Sequence, residues 1–326
     1  MATDSIDLAT DIVTSVFFYA QSALRHELGT WADALLDREI PDHRLYGPLC
    51  GVSGHFAFER GDYELARRRV EQHLTSDSAD IDYCHPSSAP AYALAADVAG
   101  VDRTSQRMLD IANQQNQPRA IVNANAARMV FGRVSRDWDL ALHHADIALD
   151  AARKSEAPGL LAFAHHVRGI ALTRTDPEQA MTQQRDVIAC THDDANMRWF
   201  HVGATMGLAE AAVETNNLPI ALSACRDALE VSSNTRSFAF VATSLGFAAV
   251  ALTRAGKAQI AAQLLGCTGH QSHRTPVRHQ RIVAEALGDS YQQHLEQGAR
   301  LTLLDAAELA IATIDQVQKS QPPTSG

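Results

Sequence analysis

The apolar positions of the chain recur at intervals of three and four, the spacing that places side chains on one face of an α-helix. Residues 218–229 show this spacing most clearly, with apolar side chains at Leu218, Ala221, Leu222, Cys225, Ala228 and Leu229. The alternation that is typical of a half-buried β-strand is not sustained, and no Asn-Gly or Asp-Gly hairpin turn occurs. The pattern therefore predicts an all-α protein.

Short breaks separate the helical stretches, and they are long enough only for tight turns between helices. These breaks are Arg60-Gly61-Asp62, Asp176-Pro177, Asn216-Asn217 and Ala255-Gly256. Small residues recur four or five positions after such breaks, at Ala66, Thr104, Ala141, Ala180, Ala221 and Ala261. Their spacings of 38, 37, 39, 41 and 40 residues predict a solenoid, in which stacked helix pairs share a continuous core. Gly54, Ala209 and Ala249 lie twelve positions before the small residue of the next helix, so we expect them to form the other half of each close contact.

Two sets of motifs carry a resemblance to known repeat proteins. Gly61-Asp62-Tyr63-Glu64-Leu65-Ala66 resembles a tetratricopeptide repeat (TPR), as do the small residues at Ala209, Ala212, Ala221 and Ala228. Near the C-terminus, the order of Ala261–Gly266, Ala286–Asp289, Gly298–Leu301 and Leu304–Ala310 resembles the closing helical segment of large bacterial signal-transduction ATPases and LuxR-type transcriptional regulators. The resemblance implies a sensor or partner-binding arm of bacterial signalling, with a regulator ATPase as one candidate partner.

The repeat pattern and the resemblance together give the predicted organisation of the chain. We predict a right-handed α-solenoid of about six TPR-like helix pairs in residues 1–270, a closing helical segment in 271–318 and a disordered tail in 319–326. The longest apolar run, 238–252, is shorter than the roughly 20 residues of a membrane span. A net charge of −10 argues against direct nucleic-acid binding. Five scattered cysteines without a CxxC motif favour a reducing cytoplasm.

Motifs for catalysis or cofactor binding do not stand out from the sequence. Gly256-Lys257, the only Gly-Lys pair, is followed by Ala258 rather than the Ser or Thr of a phosphate-binding loop. Four possible zinc ligands form Cys-x2-His-x2-His-x5-His, at Cys267, His270, His273 and His279. They lack the two tight ligand pairs of a structural zinc site, so we interpret them as residues of a loop. We therefore predict a non-catalytic protein without a metal or cofactor.

The binding candidates lie on the first helix of each pair, which lines the concave side of a solenoid. They are Asn123, Asn125, Arg128, His165, Arg198, Trp199 and His201. Arginine, tryptophan and asparagine suit a protein or peptide groove, because they supply forked donors, a flat apolar anchor and amides that pair with backbone. Two alternatives stay open: Trp199 fills a junction between repeats, or the solenoid encloses a small-molecule effector.

Overall fold

The computed structural model describes residues 2–83, 88–94, 96–269 and 277–320, and within these ranges the chain forms α-helices and short 3-10 helices but no β-strand. The all-α prediction is confirmed. Three helices come first: α1 (Ala2–Ser15), α2 (Phe17–Ser22) and α3 (Glu27–Leu36). Helix pairs follow: α4 (Tyr46–Glu59) with α5 (Tyr63–Thr75), α6 (Ser88–Leu94) with α7 (Val98–Gln115), α8 (Pro118–Ser135) with α9 (Trp138–Ser155), α10 (Pro158–Leu172) with α11 (Pro177–Thr191), α12 (Arg198–Glu214) with α13 (Leu218–Thr235), and α14 (Phe238–Arg254) with α15 (Ala258–Thr268). The last helices are α16 (Val277–Leu287), α17 (Tyr291–Gly298) and α18 (Leu303–Ser320).

Tight turns join the two helices of a pair, and they use the residues that the sequence singled out as breaks. Gly61 takes a φ of +84° and Asn216 one of +57°, left-handed conformations that end a helix. The next residue then caps the following helix: the Asp62 carboxylate accepts a hydrogen bond from the Leu65 N–H, and Asn217 caps α13 in the same way. One residue that ends a helix and one that caps the next are therefore enough to reverse the direction of the chain.

The described residues divide into two compact units. The first comprises those of Met1–Leu172 and Asp186–His201, and the second comprises those of Thr173–Arg185 and Val202–Gly326. The six small residues predicted from the period are all buried: Ala66, Thr104, Ala141, Ala180, Ala221 and Ala261. All six lie on the second helix of a pair, where helices approach closely.

Close helix contacts in the first unit depend on glycine. A Cβ atom added to Gly54 would lie 3.4 Å from the Ala66 carbonyl oxygen, so these two residues do face each other as predicted. In the α8–α9 pair the sequence places Met129 at the equivalent position, twelve residues before Ala141. The structure uses Gly132 instead, where an added Cβ would lie 2.6 Å from the Ala141 nitrogen. The contact has moved by one helical turn, which keeps it on the same helix face.

Two features organise the second unit. Helices α15 and α17 cross through glycines, because an added Cβ on Gly266 would collide with the Leu295 carbonyl and one on Gly298 with that of Gln263. An ion-pair cluster centres on Glu214, which pairs with both Arg174 and Arg278. Burial acts to raise the pKa of Glu214, but its charged neighbours outweigh burial and hold that pKa below the ordinary glutamate value. No described helix is long and apolar enough to cross a membrane.

Candidate functional site

The binding candidates on α8 are tied into the interior of the first unit. The buried Asn125 donates from Nδ2 to the Ile121 carbonyl at 2.8 Å, and its Oδ1 lies 2.8 Å from Nδ1 of His144. Burial lowers the pKa of His144 to about 4, with help from the charge of Arg128. Arg128 donates to Asp102 at 2.5 Å and lies over the Phe131 ring at 4.5 Å. Both side chains therefore already form contacts within the protein.

Trp199 is an interior residue and not an open anchor. Its side chain is 7% exposed, and its indole Nε1 donates to Oε1 of Glu59 at 3.0 Å. Glu59 is fully buried on α4, 140 positions earlier in the chain. The rings of Phe163 and Phe200 pack on the indole, with centroids 5.7 and 5.5 Å away. Of the two interpretations left open by the sequence, this geometry favours Trp199 as part of the core.

The other predicted residues have mixed surroundings. Arg198 is exposed at the start of α12. His201 is half-buried, with Nδ1 3.4 Å from the Thr191 hydroxyl. His165 is also half-buried, and burial lowers its pKa. His270 and His273 lie outside the described residues. Among the described residues, no group of three or more His, Cys, Asp or Glu side chains is placed to hold a metal ion.

A partly open cavity of about 240 Å³ lies within the first unit, close to Trp199. Its walls come from α2, from the first turns of α8 and α10, and from the segment that leads into α12. The lining residues are Phe18, Gln21, Ser22, Arg119, Asn123, Ala157, Gly159, Leu160, Phe163, Met197 and Phe200. We call this space the first-unit cavity. Most of its wall is apolar, and Phe163 and Phe200 connect it directly to the Trp199 indole.

Several residues that line this cavity are separated by the same interval as the helix repeat. Arg119 and Gly159 are 40 residues apart, and so are Asn123 and Phe163, Ala157 and Met197, and Leu160 and Phe200. These positions are equivalent at and just before the starts of successive first helices, as expected where stacked repeats present the same face. Asn123 is the one predicted binding residue among the lining residues. Phe18 on α2 was not foreseen, because α2 lies outside the repeat pattern.

Four polar side chains contribute to the lining: Gln21, Ser22, Arg119 and Asn123. The Asn123 amide lies 3.4 Å from the Ile81 carbonyl. The Arg119 guanidinium stacks on the Phe18 ring, 3.9 Å from its centroid, and Asp82 lies 3.8 Å away. Burial raises the pKa of that Asp82 carboxyl, and Arg119 acts in the opposite direction. The cavity thus combines apolar rings with one arginine, two amides and one hydroxyl, a composition typical of ligand pockets.

A second cavity of about 680 Å³ lies between the 41–46 loop and the end of α5. Polar side chains form much of its lining, and several of them already contact each other or α1. Ser76 and Ser78 are joined by their hydroxyls at 2.9 Å, and His43 contacts Asp7 at 2.9 Å. The first-unit cavity is the better candidate site, because its lining combines an apolar wall with few polar groups.

Comparison with known proteins identifies the fold. No family model matches the chain, and no curated protein matches it. Among solved structures, a Rap protein complexed with Competence and Sporulation Factor aligns over 96% of this chain and 98% of its own, with a TM-score of 0.56 and 12% identity. A Pyrococcus horikoshii signal-transduction ATPase with a tetratricopeptide repeat sensor aligns over 95% of this chain and 49% of its own, with a TM-score of 0.49 and 14% identity. The chain is an all-α, tetratricopeptide-like helical repeat protein.

Proposed function

We propose that this chain is a non-catalytic binding module that holds a peptide segment of a partner in the first-unit cavity. The observation that carries the proposal is the convergence of equivalent first-turn positions on one apolar pocket. Phe18, Leu160 and Phe200 present apolar surface to this partly open cavity, and an apolar surface that faces water favours a partner that covers it. A ligand side chain would cover these rings.

The size of the cavity favours a peptide side chain over a whole small-molecule ligand. At about 240 Å³ it lies below the range of roughly 300–1,000 Å³ that is typical of pockets for drug-sized ligands and cofactors. One large apolar side chain fits a space of this size, with its backbone outside. The alternative, a small-molecule sensor, retains one argument: the wall is mostly apolar, as an effector pocket would be.

The cellular role is a proposal by analogy with the structural neighbours. Rap was solved with Competence and Sporulation Factor bound. We place this chain in the same broad class, as a partner-binding module of bacterial signalling or transcriptional regulation in the cytoplasm, with a regulator ATPase as one candidate partner. Such likeness at 12% identity concerns the fold, so the role has to be tested at the cavity itself.

The predicted residues would contribute to such a site in different ways. Asn123 lines the cavity. Arg198 is exposed and directly follows the lining residue Met197 in the chain. Asn125, Arg128 and Trp199 would act by holding the walls, since each has partners within the protein.

Gly159 offers the sharpest test of the proposal. A Cβ added there would make ordinary contacts with Met197 and Phe200, each at 3.7 Å, so a larger side chain grows into the cavity. Heptapeptides that the wild-type protein captures from a random biotinylated library should no longer be captured by Gly159→Leu. The matched control is Gly269→Leu, where an added Cβ meets nothing within 4 Å and which does not line the cavity. Equal capture by both variants and the wild type would contradict a binding role for the cavity.

A further inference from the structure

A row of large apolar side chains is exposed along α1 and α2. Its members are between 37% and 62% exposed: Leu8, Ile12, Val16 and Tyr19. They follow one another at intervals of four, four and three residues, so they lie on one helix face. The row is continuous across Val16, because the Val16 N–H donates to the Ile12 carbonyl and the Ala20 N–H donates to that of Val16. We call these four residues the N-terminal stripe.

The N-terminal stripe differs from the other exposed apolar residues of the protein. On the remaining described helices, large exposed apolar side chains occur at most once per helix, as with Val98 on α7 and Ile147 on α9. Single exposed apolar residues are ordinary, whereas a contiguous apolar surface is typical of an interaction site. The opposite face of α1 and α2 is already buried, through residues such as Val13 and Phe17. The stripe is therefore a second apolar face on the same helices.

The charges around the stripe are unevenly distributed along its length. Asp7 and Asp11 lie one position before Leu8 and Ile12, and each already contacts a basic side chain of the 41–46 loop, His43 and Arg44. Arg25, just beyond the end of α2, is exposed and forms no ion pair with another described residue. One end of the stripe is therefore acidic and the other is basic.

This arrangement is complementary to itself when reversed. We infer that the N-terminal stripe pairs with the same stripe of a second copy of the chain, with the two copies antiparallel. A two-fold axis through the middle of the stripe places Leu8 opposite Tyr19 of the second copy, and Ile12 opposite Val16 of the second copy, each contact occurring twice. The acidic end at Asp7 then lies towards Arg25 of the second copy, whereas a parallel pair would place Asp7 against Asp7.

The size of the stripe sets the expected strength of this association. Four partly exposed side chains contribute less than the roughly 800 Å² per partner of a standard stable interface. We therefore expect a reversible dimer with a Kd of about 10–100 µM. The inference goes beyond the proposed function and does not depend on the first-unit cavity, so Gly159→Leu should dimerise as the wild type does.

Sedimentation equilibrium of the full chain over a range of concentrations that spans this Kd tests the inference. The weight-average mass should rise from that of a monomer towards that of a dimer. Ile12→Lys should weaken dimerisation at least about tenfold, because it places a charge against the apolar side chains of the second copy. The matched control is Ile147→Lys, the same exchange at an exposed isoleucine outside the stripe, which should dimerise normally. Thermal melts check that both variants are folded.

A mixing experiment tests the antiparallel arrangement. Leu8→Lys and Tyr19→Glu should each weaken dimerisation alone, but an equimolar mixture should associate more strongly than either variant, because the two new charges then face each other. Three results would overturn the inference. The first is a monomer at every concentration up to about 500 µM, well above the expected Kd, which would leave the stripe to a different partner. The second is equal dimerisation of Ile12→Lys and Ile147→Lys. The third is a mixture that associates no more strongly than its components.

Discussion

Replacement of Trp199 by phenylalanine removes one hydrogen bond that links distant parts of the first unit. The indole Nε1 donates to Glu59 at 3.0 Å, and the Glu59 side chain is fully buried. Phenylalanine retains an aromatic ring for Phe163 and Phe200 to pack against, but it has no donor. Trp199→Phe therefore leaves the Glu59 carboxylate with less compensation for its loss of water.

The expected loss can be set from the chemistry of this pair. A buried acceptor that loses its donor costs about 1–3 kcal/mol, so we expect Trp199→Phe to lower the free energy of unfolding by about that amount. Trp199→Ala should cost about 3–5 kcal/mol, because a cavity is added to the lost bond. In a background of Glu59→Leu the carboxylate is absent, so the cost of Trp199→Phe should shrink and the two changes should not be additive.

Urea unfolding followed by circular dichroism measures these differences. The matched control is Trp31→Phe, because the Trp31 side chain is 52% exposed and its replacement should change stability by no more than about 0.5 kcal/mol. Equal effects of Trp199→Phe and Trp31→Phe, or full additivity with Glu59→Leu, would refute the buried hydrogen bond.

Three further predictions test other parts of the structure. Gly159→Ala should raise stability by about 0.5–1 kcal/mol in a thermal melt, because alanine favours the helix and meets only ordinary contacts at 3.7 Å; a clear loss would mean that the cavity is smaller than described. Ala221→Leu should overpack the buried face of α13 and cost about 1–3 kcal/mol, and an unchanged melting temperature would place Ala221 at the surface. Burial lowers the pKa of His55 to about 3, whereas the unfolded chain binds a proton at this residue below about pH 6.5. As pH falls from 6.5 towards 3, the free energy of unfolding should therefore decrease by about 1.4 kcal/mol per pH unit because of His55. Urea midpoints from pH 7 to 5 should thus fall less steeply in His55→Gln than in the wild type, and parallel profiles would contradict this assignment.

The helix pairs could be predicted from sequence because their causes are local. A turn such as Arg60-Gly61-Asp62 carries its own left-handed residue and its own cap. A small residue such as Ala66 indicates a close contact between its helix and the preceding one, and the two contacting residues are only about a dozen positions apart in the chain. The exception at Gly132 is also local, since one helical turn moves a contact along a helix without changing its face.

The candidate site was only partly predictable, because it depends on contacts between distant parts of the chain. Arg119 meets Phe18 across about a hundred residues, and Trp199 meets Glu59 across 140. No periodic pattern connects these positions. The predicted binding residues lie on α8, α10 and α12, whose starts contribute to the cavity, yet the conspicuous ones such as Trp199 and Arg128 form contacts within the protein. The offset of 40 between lining positions was the signal that could have led to Gly159 and Phe163.

The central claim, that the first-unit cavity binds a ligand, is tested most directly by the methyl resonances of the methionines. Met197 lines the cavity, whereas Met108 and Met181 are fully buried elsewhere and serve as internal references. In protein labelled with ¹³C-methyl methionine, addition of N-acetyl-Gly-Gly-Phe should shift the Met197 resonance in a saturable way and leave those of Met108 and Met181 in place. An unmoved Met197 resonance under saturating binding, or equal shifts at all three methionines, would contradict the claim.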